Sequence, residues 1–133
     1  MTIAISTSLQ SSFDEAVART RDALAGQGFG ALTESDMTAT LKAKLDQDME
    51  NYLILGACNP PLAHRAVTVD RQIGLLLPCN VVVRTDPADD TRVLVEAMNP
   101  QLLVQVTGEP ELQEVADEVT TKLTAAIDAL GAD

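Results

Sequence analysis

Tyr52-Leu-Ile-Leu-Gly-Ala-Cys-Asn-Pro-Pro-Leu-Ala-His64 is the stretch on which the fold turns. Its first six residues are apolar in succession, the pattern of an interior strand covered on both faces, one of them by a partner subunit if need be. Asn59 is a good helix cap and Pro60 a good first helical residue, so the strand runs straight into a helix. Leu62, Ala63, Ala66 and Val67 then make the inner face of that helix. The stretch holds Cys58, one of two cysteines, and His64, the only histidine. A second apolar segment, Leu75-Leu-Leu-Pro-Cys-Asn-Val-Val-Val83, repeats the Cys-Asn pair and reads as the next strand, over 75–84. Pro78 inside it removes a ladder donor, which implies an edge, a bulge or a break.

On the N-terminal side, residues 2–9 alternate as a strand, with Ile3, Ile5, Thr7 and Leu9 on one face. Ser12-Phe-Asp-Glu15 is a capping box. The helix it opens carries Phe13, Ala16, Val17, Thr20 and Leu24 on one stripe, has Glu15, Arg19 and Asp22 opposite, and stops at Gly26 and Gly28. Residues 29–35 read as a strand. Asp36 or Thr38 then caps a short helix with Leu41 and Leu45 on one side.

On the C-terminal side, Thr85-Asp-Pro-Ala-Asp-Asp90 reads as a loop joining the 75–84 strand to a strand over 91–98 in a hairpin. A short helix follows over 101–106. Pro110 opens the longest helix, striped with Leu112, Val115, Ala116, Val119, Leu123, Ile127 and Leu130. The acids Glu111, Glu114, Asp117 and Glu118 crowd its first half, where the helix dipole favours them. The order predicts an α+β fold: one mostly antiparallel sheet with the two long helices on one face.

Composition narrows the function classes. At 133 residues the chain fits one domain, 1–133, able to bury roughly two-thirds of its unfolded surface. Its net charge is −11, and its nine Lys and Arg are scattered. Nucleic acid and anionic membranes would be repelled. With two Phe, one Tyr and no Trp, no stacking platform for single strands exists either. No apolar run is long enough to span a bilayer, and the first residues lack the basic and apolar regions of a signal peptide. The expectation is a cytoplasmic protein with reduced thiols.

The residues Ser12-Phe-Asp-Glu-Ala-Val17, Gly28-Phe29, Ile54-Leu-Gly-Ala-Cys-Asn-Pro60, Ala63-His64 and Leu77-Pro-Cys-Asn-Val-Val-Val83 resemble the bacterial and archaeal family known as domain of unknown function 302. The resemblance runs from Ser12 to Leu130. It implies a curved sheet like that of the TATA-binding-protein group, in the order β-α-β(4)-α, and it suggests homodimers. It implies no activity, and the fold likeness does not import DNA binding.

The candidate site residues are Cys58, Asn59, His64, Cys79 and Asn80. Cys58 precedes a helix start, which favours a thiolate by about 0.3–1 kcal/mol, too little to make a catalytic thiol by placement alone. A free cysteine is more often a small buried hydrophobe, Cys79 above all, amid Leu and Val. His64 falls opposite Leu62 on the helical wheel, away from the buried side. Capping accounts fully for Asn59. Asn80, among strand residues, needs partners and could line a pocket. Gly56 permits a close approach, by a packed helix first and a ligand second. Arg65 and Arg71 are the nearby cations, solvated or paired with acids. No nucleophile elbow, phosphate loop or zinc spacing appears, so no cofactor, metal or catalytic set is expected.

Three functions remain open. The favoured one is a small, non-enzymatic ligand-binding domain, with a pocket near the Asn59 and Asn80 strand ends. The second is a thiol redox or soft-metal protein using Cys58 and Cys79. The third is a dimerisation module joined through Leu75-Leu-Leu77 and Leu102-Leu-Val104.

Overall fold

A computed structural model of the chain describes residues 2–131. Five strands form one open antiparallel sheet: β1 (Ala4–Gln10), β2 (Gly30–Asp36), β3 (Tyr52–Cys58), β4 (Cys79–Asp86) and β5 (Asp89–Met98), in the spatial order β1-β5-β4-β3-β2. The first two strands in sequence are therefore the two edges. The link between them is α1 (Phe13–Ala25), which carries the chain across one face of the sheet. Ser12 caps this helix by accepting the Glu15 N–H at 3.1 Å. Beyond its end the Phe29 N–H returns to the Leu24 carbonyl at 2.9 Å, a closure that Gly28 allows by taking a φ of 84°.

The last helix, α5 (Gln113–Gly131), lies beside α1 on the same face. All seven stripe positions expected from its sequence are buried, Leu112 in a short 3-10 turn, Pro110–Leu112, that precedes the helix proper. They meet the inward residues of the sheet: Leu53, Leu55 and Ala57 of β3, Val81 and Val83 of β4, Val93, Val95 and Ala97 of β5. Arg19 is not simply solvated, since its guanidinium donates to the Leu130 carbonyl and ties α1 to α5. The expected α+β arrangement, one sheet with both long helices on one face, is the arrangement found.

Three shorter helices complete the chain: α2 (Met37–Leu45), α3 (Pro60–Val69) and α4 (Gln101–Thr107). Asp36 caps α2, accepting the Ala39 N–H at 3.0 Å. No residue of α2 is buried, and Leu45 stands out in solvent.

Several boundaries differ from the sequence reading. The strand expected over 75–84 begins only at Cys79. Arg71–Leu76 is a 3-10 turn, because the ladder cannot start until the missing N–H of Pro78 has been passed. The hairpin loop is just Pro87-Ala88, with Asp86 opposite Asp89. Ile3 precedes its strand and is exposed. Of the two segments named as a dimer surface, Leu103 is in the core and Leu76, Leu77 and Val104 pack against it, while Leu75 is exposed and Leu102 half-buried. Within the chain, helices cover one face of β3. It is interior to the sheet, but Tyr52 and Ile54 on its second face are only half-buried.

Candidate functional site

Two chain segments meet at one corner of the sheet. β3 ends at Cys58 and passes into the Asn59 cap of α3, while β4 enters from Pro78 at Cys79. The strands are antiparallel with Ala57 opposite Cys79, so both cysteines reach this corner. There the helices stand off the sheet. A cleft of about 270 Å³ opens between Ala57 and Cys79 below, Leu62 and Ala66 of α3 at one side, and Val115 and Val119 of α5 at the other. Phe29, Leu32, Leu77 and Leu103 close its remaining walls.

The chemistry of this cleft is uniform. No lining residue is charged, and Asn59 carries the only amide side chain among them. That amide is already used at both ends. Its Oδ1 accepts the Leu62 N–H at 3.4 Å, and its Nδ2 donates to the Gln27 carbonyl at 3.4 Å. A Cβ on Gly28 would come within 3.0 Å of the same Nδ2, which, with the positive φ, fixes glycine at 28. Among the described residues no buried side-chain nitrogen or oxygen lacks a partner. The side chains of the cleft therefore ask nothing polar of an occupant.

Asn59 thus holds the corner together. Replacing it by alanine should cost about 1–2 kcal/mol, since the helix loses its cap and the Gln27 carbonyl its donor. Asn59→Asp keeps the acceptor but turns a carboxylate toward that carbonyl, and should recover only part of the loss. Urea unfolding of the two variants reads both values; an alanine variant as stable as the parent would show the cap to be dispensable.

The two thiols differ. Cys79 is buried, and burial first, then the proximity of Cys58, pushes its thiol up to about 11. At neutral pH it is a protonated, poorly nucleophilic group. Cys58 is half-buried at the cleft wall. Neither is in a disulfide.

The remaining sequence candidates do not join them. His64 is exposed on the outer side of α3, in a shallow hollow with Thr68, Glu111 and Glu114. Asn80 is exposed too: one residue past Cys79, strand alternation turns it to the opposite face of the sheet. What approaches Gly56 is the Thr33 hydroxyl and the Pro78 ring, from β2 and the entry to β4, and not a helix. Arg65 pairs with Glu118 at 2.9 Å and Glu114 at 3.6 Å. Among the described residues no three His, Cys, Asp or Glu side chains gather as a metal site requires, and no helix is long and apolar enough to cross a membrane.

The aliphatic walls, Leu62, Ala66, Leu103, Val115 and Val119, were not singled out from the sequence as site residues. The signal that could have found them is side-chain size. Ala57, Ala63, Ala66 and Gly74 bring small residues from three segments to one place, and the space they leave is the cleft.

Fold and site together define a class: an open five-stranded antiparallel sheet under helices, with an apolar hollow at one corner. The chain belongs to the family described as domain of unknown function DUF302, whose model matches residues 5–130. It is similar to the crystal structure of an uncharacterised conserved DUF302 protein from Bacillus stearothermophilus. The TM-score is 0.88 at 25% sequence identity, over 98% of this chain and 99% of that one. No curated protein matches it. The resemblance carried by the Ile54–Pro60 and Leu77–Val83 motifs is borne out at the level of the family.

Proposed function

We propose that this protein is a non-enzymatic binding domain for a small, neutral, largely apolar molecule held in the corner cleft. The observation that carries the reading is a 270 Å³ hollow with no charged lining residue and no unsatisfied polar side chain. That volume lies just below the usual range of about 300–1,000 Å³ for ligand pockets, which suits a compact ligand. A charged ligand would have to give up its hydration here without a counter-ion, a cost of several kcal/mol. The buried, protonated thiol of Cys79 favours this reading over a thiol redox or soft-metal role, since both of those need thiolates.

The test uses a neutral fluorescent probe, N-phenyl-1-naphthylamine, with the native chain and with Ala66→Leu. Leucine at 66 points added methyl groups into the hollow, each worth about 0.8 kcal/mol when buried. The variant should keep its circular dichroism, melt at or above the parent, and lose probe binding at least tenfold. The native chain should also be stabilised by the probe, by about 2.7 kcal/mol at a hundred times Kd. Equal binding to both chains, or none to the native chain, would refute the assignment.

A further inference from the structure

Of the residues that line the corner cleft, only Leu32 and Gly74 are exposed, so they mark its mouth. Leu32 stands there because β2 carries an extra residue. In the β2–β3 register Ala31 faces Ala57 and Thr33 faces Gly56, which leaves Leu32 between them without a partner, as the added residue of a bulge. A bulge re-aims a side chain. This one gives the cleft a leucine that is still 67% exposed. Bulges also guard a sheet edge against further strands, but a charged side chain serves that purpose better than an apolar one. β2 is such an edge, and Glu34 and Asp36 already supply it with charge.

The other side of the mouth is the turn Arg71–Leu76. A Cβ built on Gly74 would meet nothing within 4 Å, so the opening there is clear. The next residue, Leu75, is 85% exposed, the most exposed large hydrophobic among the described residues. Apolar side chains exposed singly need no explanation. Here two leucines belong to the two segments that form the mouth of an uncharged hollow, and the apolar surface continues outward past its rim.

We infer that the ligand of the cleft is an unbranched hydrocarbon chain, with no negative charge on its head, that is longer than the hollow. Its inner end is the compact part held between Ala66, Cys79 and Val115, and its outer part crosses the mouth over Leu32 and Leu75. This rests on the binding role proposed above and names the class of molecule bound. Walls that are almost wholly aliphatic offer no free hydrogen-bonding side chain to orient a rigid polar compound, and only Phe29 to stack on one. A chain needs neither. A molecule confined to the hollow would leave both leucines in water, whereas a chain that emerges covers them, and each methylene so buried raises affinity about fourfold. A carboxylate head outside the mouth would meet the field of a protein carrying −11.

The test is a series of primary alkanols from hexanol to dodecanol, competing with N-phenyl-1-naphthylamine. On the native chain affinity should rise by about fourfold per methylene up to the longest member. The double variant Leu32→Ser, Leu75→Ser changes two exposed positions and should keep its circular dichroism. It should bind hexanol within about twofold of the parent and dodecanol at least tenfold more weakly, because only the longer chain reaches the mouth. Leu45→Ser, similarly exposed but outside the cleft lining, should match the parent at every length. Alkanoates of equal length should bind at least tenfold more weakly than the alkanols at low salt. A loss in the double variant that is equal at every length, no loss at all, the same loss in the Leu45 variant, or alkanoates that bind as well as alkanols would overturn the inference. A native chain that binds the probe but no alkanol would overturn it alone and leave the hollow as a binding site. A native chain that binds neither would remove the proposed function as well.

Discussion

Gly56→Ala is expected to destabilise the protein by about 1–3 kcal/mol, although alanine is the smallest possible addition. A Cβ at 56 would lie 2.1 Å from the Thr33 hydroxyl oxygen and 2.7 Å from Cγ of Pro78. Neither neighbour yields easily. Threonine is stiff at χ1, and the proline ring is rigid and immediately precedes β4. The strain falls where β2, β3 and β4 meet, and Pro78 is also part of the cleft wall. Adding Thr33→Ala removes the closer clash and leaves the proline. The double variant should therefore regain part of the loss and no more, a non-additivity expected of residues in contact. Urea denaturation of the single and double variants reads this directly. A Gly56→Ala chain as stable as the parent would mean that the three strands are less tightly joined than described.

The second large effect is a loss of stability at alkaline pH, set by Cys79. In the folded chain its thiol is pushed up to about 11 by burial. In the unfolded chain it returns to the ordinary thiol range near 8.5. Between these values the unfolded state has released the proton and the folded state still holds it, so raising the pH favours unfolding. Stability from this group is complete below about pH 8.5 and declines up to about pH 11, by a total of about 3 kcal/mol. Cys79→Ala leaves a void and lowers stability at neutral pH, but it should flatten this part of the pH profile. The readout is the difference between the two chains at each pH, which cancels the tyrosine and lysine titrations common to both. Parallel profiles for parent and variant from pH 8 to 11 would mean that Cys79 is not sealed from water.

How much of this was legible beforehand depends on whether the signal was local. The α5 stripe and the Ser12, Asp36 and Asn59 caps are local, and they stand as read. The antiparallel sheet with both long helices on one face followed from the order of elements. The segment 75–78 failed because a short apolar run looks alike as strand or as tight turn. Pro78 marked the break, but the break belonged at the start of β4 and not inside it.

The corner itself could be foreseen in part. Cys58, Asn59 and Cys79 announced it because a strand end, a cap and a repeated pair are visible in one dimension. Asn80 reads as a polar side chain among strand residues in need of partners, but pleating turns it to the face opposite Cys79, where solvent supplies them. The aliphatic walls gave no warning, since Leu103 or Val119 reads the same whether it meets another side chain or an empty space. A cavity comes from what several distant segments leave unfilled. Ala57, Ala66 and Gly74 have to be brought together before that shortfall can be seen.

The measurement that bears most directly on the proposed function is a crystal structure of protein purified without any step that strips bound molecules. The account predicts electron density for a compact apolar molecule between Ala66, Cys79 and Val115, out of reach of any charged side chain. A corner closed by rearranged side chains, or occupied by ordered water hydrogen-bonded to the protein, would contradict it.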